Sequence, residues 1–277
     1  MIVVEAMVRA ALAEDLGRAG DITTDAVVPL GARFDGAIVA RRPGIVAGLP
    51  VAGQVFRFLD PDILISAERP EGASVSAGQV VMRVSGPARP IITAERTALN
   101  FLCHLSGIAS ATNSLVRAVA GLPTRISCTR KTTPGLRALE KYAVRAGGGV
   151  SHRFGLDDGI LIKDNHIDVA GGVPQAVRLA RRASGHMVKI EVEVDTLAQL
   201  EAALAEGVDA VLLDNMSPET LRLAVDSVAG RALTEASGGV TLDTVRAIAE
   251  TGVDIVSAGW ITHSAAALDF GLDAAAD

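Results

Sequence analysis

Three places in this chain end in basic or imidazole side chains that could hold an anion. The run RISCT leads into Arg130-Lys131, a triple glycine is followed by Val150, Ser151, His152 and Arg153, and ILI leads into Lys163-Asp164-Asn165-His166. The planar fork of arginine can donate two parallel hydrogen bonds to a carboxylate. A lysine that closes an apolar strand can be a Schiff-base nucleophile or a point charge for an anion. From Glu95 to His166 there are ten Lys/Arg against five acids, in a chain whose formal net charge is −6. Positive charge gathered inside an acidic protein points to a pocket for a small polyanion. A structural ion pair would explain any one of these cations alone, but several at successive strand ends are harder to explain that way.

Carboxylates and glycines come next along the chain. VKIEVEV (188–194), DAVLLDN (209–215) and RALTEAS (231–237) carry the acids Glu193, Asp214 and Glu235, spaced by 21 residues each time. Ser237-Gly238-Gly239 follows the last of these runs and leads through Thr241 and Asp243 into a predicted helix. Two glycines let the backbone approach a ligand closely, and a helix N-terminus offers unpaired N–H groups to a phosphate. An ordinary turn is the alternative reading of that tripeptide.

The elements that must position these residues alternate strand and helix from about Arg125 onward. The helical TLAQLEAALAEG, SPETLRLAVDSVAG and TLDTVRAIAETG each follow an apolar strand, and DIVSAG (254–259) closes the series. Repeated βα units of that length predict a TIM-like parallel α/β barrel, incomplete, with its chemistry at the strand ends. An open doubly wound sheet is the alternative, although its dinucleotide-binding version would need a GxGxxG loop that is absent. Residues 5–16 predict a helix closed by Gly17 and Gly20. The runs at 36–40, 44–53, 62–68 and 79–86 predict the strands of an N-terminal α+β sandwich. The segment EGASVSAGQVVMRVSG looks like the hammerhead folds of lipoyl carriers but has no lysine at its hairpin tip. Thr93 to Ala120 predicts a long connector helix, capped by Thr93 and broken at Ser106-Gly107, with Leu99, Leu102, Cys103 and Leu105 as its apolar stripe. The expected division is 1–109 for the N-terminal domain with the connector, 110–264 for the barrel, and 265–277 for a tail returning to the N-terminal domain.

Composition excludes several classes. The chain is 277 residues long and 49% hydrophobic, yet no run approaches the roughly 18 uninterrupted apolar residues of a membrane span. Glu5 and Arg9 interrupt the N-terminal apolar run, which argues against a secretory signal. Two cysteines, Cys103 and Cys128, are too few for a disulfide framework and fit a reducing cytoplasm. An acidic balance with 3% aromatics argues against nucleic acid.

Taken together, TRKTTPGLRALEKYAVRAGGG, HRFGLDDGILIKDNHI, EVEV, LLDNMSPE, EASGGVT and GWITHSA follow the order and spacing of the quinolinate phosphoribosyltransferase family. The resemblance runs from EDLGRAGDITTD (14–25) through ERTALNFLCHLSGIA (95–109) to LDFGLD (268–273). It implies conversion of quinolinate and phosphoribosyl pyrophosphate to nicotinate mononucleotide, pyrophosphate and carbon dioxide, with magnesium. By resemblance Arg130, Arg153 and Lys163 hold the two carboxylates, with His152 and Lys131 beside them. Arg96 reaches the quinolinate of a neighbouring subunit, which implies a homodimer or higher oligomer with shared sites. Glu193 and Asp214 meet the ribose hydroxyls, directly or through magnesium, while Ser237, Gly238, Gly239 and Gly259 receive the 5′-phosphate. Lys131, Lys163, Glu193 and Asp214 are the expected catalytic group.

Three positions depart from the family pattern: Cys128 where Asp often precedes TRKT, Ser151 where Asn precedes His-Arg, and Trp260 in place of a small residue after Gly259. None removes a charged group from the proposed site. A buried thiol at 128 would act as a small hydrophobe, and Trp260 would narrow the phosphate end. The competing readings are a molybdenum-associated paralogue, expected to lack KDNH; a class I aldolase using Lys163; and a non-catalytic ligand-binding protein.

Overall fold

The structure, a computed structural model, describes residues 2–275. Helix α1 (Ile2–Leu16) is closed by Gly17 and Gly20, whose N–H groups return to Ala13 and Leu16 with φ of 53° and 72°. Helix α2 (Ile22–Val27) is capped by Asp21, whose carboxylate accepts from the Thr24 hydroxyl and N–H and lies below its usual pKa for that reason. Strands β1 (Arg33–Ala40) and β2 (Gly44–Ile45) precede helix α3 (Leu49–Leu59), and β3 (Leu64–Ala67), β4 (Ser74–Val75) and β5 (Val80–Pro87) follow it.

Sequence reasoning placed 44–53 in a strand; only Gly44–Ile45 is one. Pro50 lies in the first turn of α3, and the Glu71 carboxylate accepts from Gly48 and Leu49 N–H, supplying the cap that no neighbouring side chain provides. Leu49, Ala52, Val55 and Phe56 then recur at helical spacing and are all buried.

Helix α4 (Ala88–Ala118) corrects two further expectations. It starts before Thr93, whose hydroxyl instead donates to Asp21. It also runs unbroken through Ser106-Gly107. The Ser106 hydroxyl accepts from Ala47 N–H at 2.9 Å and donates to Ala47 C=O at 3.1 Å. A Cβ on Gly107 would come within 2.9 Å of Ala267 Cα, so the Ser-Gly pair serves close packing.

The parallel part comprises β6 (Arg125–Ser127), α5 (Arg137–Ala146), β7 (Ile160–Ile162), α6 (Asp164–Ala170), α7 (Val173–Ala183) and β8 (Ile190–Val194). It continues with α8 (Leu197–Ala205), β9 (Ala210–Asp214), α9 (Pro218–Val228), β10 (Leu233–Ser237), α10 (Val245–Ala249), β11 (Ile255–Ser257) and α11 (Trp260–His263). Thr196 and Ser217 cap α8 and α9 through their hydroxyls. Six parallel strands pair in the order β6-β11-β10-β9-β8-β7. Each strand from β8 to β11 neighbours its predecessor, and β11 pairs back onto β6. That one-way progression closes a barrel and has none of the reversal of a doubly wound sheet. Among the described residues β6 and β7 do not pair; on the open side of β6, Ser127 makes a single parallel bridge to Val150. The barrel is therefore an incomplete, six-stranded relative of the eight-stranded form.

The chain then ends in β12 (Phe270–Ala274), antiparallel to β1 in the sheet β12-β1-β5-β3. By internal packing the chain forms two units. One holds the residues up to 113, 132–148 and those from 261 onward; the other holds 114–131 and 149–260. The first has its core in α3, β1, β5 and the first half of α4, around Phe56, Ile38, Met82 and Leu102. The second is the barrel, lined outside its strands by Val192, Val211, Leu213 and Val256. No helix among the described residues is long and apolar enough to cross a membrane.

Candidate active site

Within the barrel unit, the C-terminal ends of the strands open onto a cavity of about 560 Å3. Arg130 and Lys131 enter it from the loop after β6, where Lys131 N–H donates to the Thr129 hydroxyl. Arg153 enters from the loop before β7. Its Nη1 donates to Gly159 C=O at 3.0 Å, while Nε is buried with no partner among the described residues. Arg130 Nε is in the same position. Burial holds the Arg153 guanidinium below its usual pKa, helped by repulsion from Arg130 and opposed by Asp158 and Glu191. Two guanidinium groups with unspent buried donors, close enough to repel, make a receptor for carboxylate.

Lys163 sits between β7 and α6, and its Nζ lies 2.5 Å from Glu193 Oε2. Its backbone N–H donates to His166 Nδ1, so His166 braces the start of α6 and does not line the cavity. Glu193 comes from β8 and Asp214 from the last position of β9. Burial raises the Asp214 carboxyl above its usual pKa, reinforced by Glu193 and Asp195 and opposed by the Asn215 amide and Lys163. The Asn215 amide donates to Asp214 at 2.6 Å.

Ser237 ends β10 beside Asp214, and Gly238 and Gly239 follow with φ of 94° and 60°. A side chain at Gly238 would overlap that of Asn215, so only glycine fits there. The helix expected directly after this tripeptide begins only at Val245 and is five residues long. The anion-binding capacity here thus belongs to the exposed Gly-Gly backbone and not to a helix end. Trp260 lies behind the loop, its indole N–H donating to Val240 C=O at 2.9 Å. Cys128 is fully buried, as a packing residue would be.

The cavity thus gathers Arg130, Lys131, His152, Arg153 and Lys163, then Glu193 and Asp214, then Ser237, Gly238 and Gly239. Arg96, exposed on α4, and Gly259, after β11, are not among its lining residues. Sequence reasoning gave no role to Thr129, Asn215, Glu235 or Ser257, which line it, or to Glu191 behind them. Glu191 did leave a signal: a parallel strand reads as a continuous apolar run, and IEVEV interrupts it at alternate positions. In β8, Ile190, Val192 and Val194 are buried while the two glutamates face the barrel interior.

A cation-rich pocket at the C-terminal mouth of a parallel barrel, beside a glycine loop suited to phosphate, defines an enzyme acting on anionic, phosphorylated substrates. The comparisons are more specific. Residues 21–106 match the quinolinate phosphoribosyl transferase N-terminal domain and residues 108–273 the C-terminal domain. The chain is 47% identical over 273 residues to a nicotinate-nucleotide pyrophosphorylase [carboxylating] of Mycobacterium leprae, covering 96% of this chain and 95% of that one. It is 44% identical over 261 residues to a probable enzyme of the same name from Bacillus subtilis, covering 94% and 89%. The nicotinate-nucleotide pyrophosphorylase structure from Francisella tularensis superposes with a TM-score of 0.94 at 40% identity, covering 99% and 96%. The chain belongs to the quinolinate phosphoribosyltransferase family.

Proposed function

We infer that this chain transfers the phosphoribosyl group of phosphoribosyl pyrophosphate to quinolinate and decarboxylates the product. The products are nicotinate mononucleotide, pyrophosphate and carbon dioxide, a step of de novo NAD biosynthesis. The observation that carries this reading is one pocket combining Arg130, Arg153 and Lys163 with the Gly238-Gly239 loop, in a chain matched by both domains of the family.

Arg130 and Arg153 take the two carboxylates, with Lys163, Lys131 and His152 beside them. Lys163, ion-paired with Glu193, suits a point charge better than a Schiff-base nucleophile. The pyridine nitrogen attacks C1 of the ribose, and the C1–O electron pair leaves with pyrophosphate through an oxocarbenium-like state. Glu193 and Asp214 hold the ribose hydroxyls and place negative charge where positive charge develops. The bond from C2 to its carboxylate then breaks. Its electron pair stays on C2, stabilised by the adjacent pyridinium nitrogen, and takes up a proton. Fixing the two reactants together supplies much of the rate. Ser237, Gly238, Gly239 and Gly259 receive the 5′-phosphate.

Magnesium fits this site at Glu193 and Asp214. They are hard oxygen donors, and the burial that raises the Asp214 carboxyl, reinforced by repulsion from Glu193, would be offset by a divalent cation. When bound, the ion supplies charge neutralisation to the pyrophosphate. Arg96 belongs to the site of a second copy, making the working form at least a homodimer in the cytoplasm. The test is turnover of quinolinate with phosphoribosyl pyrophosphate and magnesium, followed by release of carbon dioxide and nicotinate mononucleotide. Absence of product from folded protein would overturn the reading.

A further inference from the structure

His152, placed above beside the carboxylates, forms a cluster with Glu191 and Glu235, two acids to which the chemistry above gives no part. Glu235 shares the strand level of Glu193, both aligned with Leu212, while Glu191 lies one layer deeper, aligned with Leu161 and Ala210. His152 Nε2 is 3.0 Å from Glu191 Oε2 and 3.7 Å from Glu235 Oε1, and the three side chains are 11%, 13% and 4% exposed. On the other side of the ring, Nδ1 accepts the backbone N–H of Arg153 at 2.7 Å.

One imidazole and two carboxylates within 4.8 Å of one another could hold a metal ion. The far side of the ring argues against it. A histidine bound to a metal through Nε2 carries its proton on Nδ1 and donates it to a second partner. Here Nδ1 faces a donor. A doubly protonated ring fails for the same reason, since both nitrogens would then be donors. The hydrogen-bond network therefore assigns the ring proton to Nε2, pointing at the glutamates.

We infer that Glu191 and Glu235 are positioning residues for the carboxylate pocket. Glu191 accepts the hydrogen bond from the His152 Nε2 proton at 3.0 Å and Glu235 adds negative charge at 3.7 Å, which leaves Nδ1 to accept the Arg153 N–H and seats Arg153 for quinolinate. The inference rests on the quinolinate reading. Two observations support it. The Arg153 side chain is anchored at Nη1 by Gly159, so both its backbone and its fork are fixed before substrate arrives. Glu191 also counters the repulsion that Arg130 exerts on Arg153, and a buried carboxylate next to two cations limits the cost of keeping them charged without ligand. His152 then acts through Arg153, with both ring nitrogens already engaged.

The test combines nitrogen NMR with kinetics. In 15N-labelled protein, with His152→Gln used to assign the signal, the nitrogen without a proton should be Nδ1. Glu191→Leu removes the acceptor, so the proton should distribute over both nitrogens. The quinolinate KM should rise roughly 10-fold, as for one lost hydrogen bond to a charged group, while the KM for phosphoribosyl pyrophosphate changes much less. Glu191→Gln keeps an acceptor oxygen and should recover most of the loss. A bare Nε2, a doubly protonated ring, a His152 signal displaced by Zn2+ or Mg2+, or an equal rise of both KM values would overturn the inference. If Glu191→Leu does not fold, the wild-type spectrum still decides. If wild-type protein does not turn over quinolinate, the functional reading fails while the spectrum separately judges the tautomer.

Discussion

Arg153 keeps its charge against burial and against Arg130, a situation that a carboxylate ligand would relieve. Arg153→Ala should therefore weaken quinolinate by one to two decades, the equivalent of about 1.5–3 kcal/mol for a charged hydrogen-bond partner. Phosphoribosyl pyrophosphate should bind nearly as before; calorimetry with each ligand separately checks this, and equal losses would contradict the assignment. Asp214 faces the opposite problem, since burial and two neighbouring acids disfavour its carboxylate. If the reaction needs that carboxylate, kcat/KM at limiting magnesium, which reports the free enzyme, should fall on the acid side at a higher pH than an ordinary aspartate would dictate. Asp214→Asn should abolish this limb and leave slow, flat turnover. The stability effect has the opposite sign. A carboxyl whose folded pKa is raised opposes folding once ionised; the penalty is absent below the unfolded pKa and complete above the folded one. Asp214→Asn should thus raise Tm at neutral pH relative to wild type, and an unchanged Tm across that range would refute the assigned burial cost.

At the scale of elements, the barrel was legible because its strands are apolar, evenly spaced and each followed by a helical pattern. Its pocket could be read because polar residues at strand ends stand out against such runs. The N-terminal half was less legible where distant partners decide the local structure. Near Leu49 only Pro50 hints at a helix start, because the capping carboxylate belongs to the distant Glu71. Ser106-Gly107 resembles a break until Ala47 and Ala266-Ala267 are seen to fill the space that a side chain would need. Gly107→Val should accordingly destabilise the protein by about 1–3 kcal/mol through overpacking against backbone, read as a lower denaturant midpoint at constant m. If α4 merely tolerated a weak helix former there, valine would be nearly neutral. The glycine loop after β10 holds a comparable surprise, since its brace comes from Trp260, twenty residues further along the chain. Trp260→Phe removes the hydrogen bond to Val240 but keeps an aromatic ring. The expected result is a several-fold higher KM for phosphoribosyl pyrophosphate, of the size of one ordinary hydrogen bond, with the quinolinate KM little changed. Trp260 is the only tryptophan, so its fluorescence in the wild type should also respond to the phosphoribosyl ligand.

At the scale of the whole molecule, the pocket's charge raises the question of where Arg96 acts. It is exposed on α4, is not among the residues that line the cavity, and belongs to the unit that does not contain the cavity. If Arg96 completes the site of a second copy, then Arg96→Ala and Lys163→Ala, each inactive alone, carry complementary defects. A hybrid dimer would place both defects in one site and neither in the other. Random exchange makes half of the dimers hybrids, and half of their sites are intact. Mixed and exchanged protein should therefore recover roughly a quarter of wild-type activity, the share that two-fold symmetry requires. Native mass spectrometry can establish that exchange has taken place. Hybrids that form and remain inactive would confine every functional group to one chain and place the action of Arg96 within its own subunit.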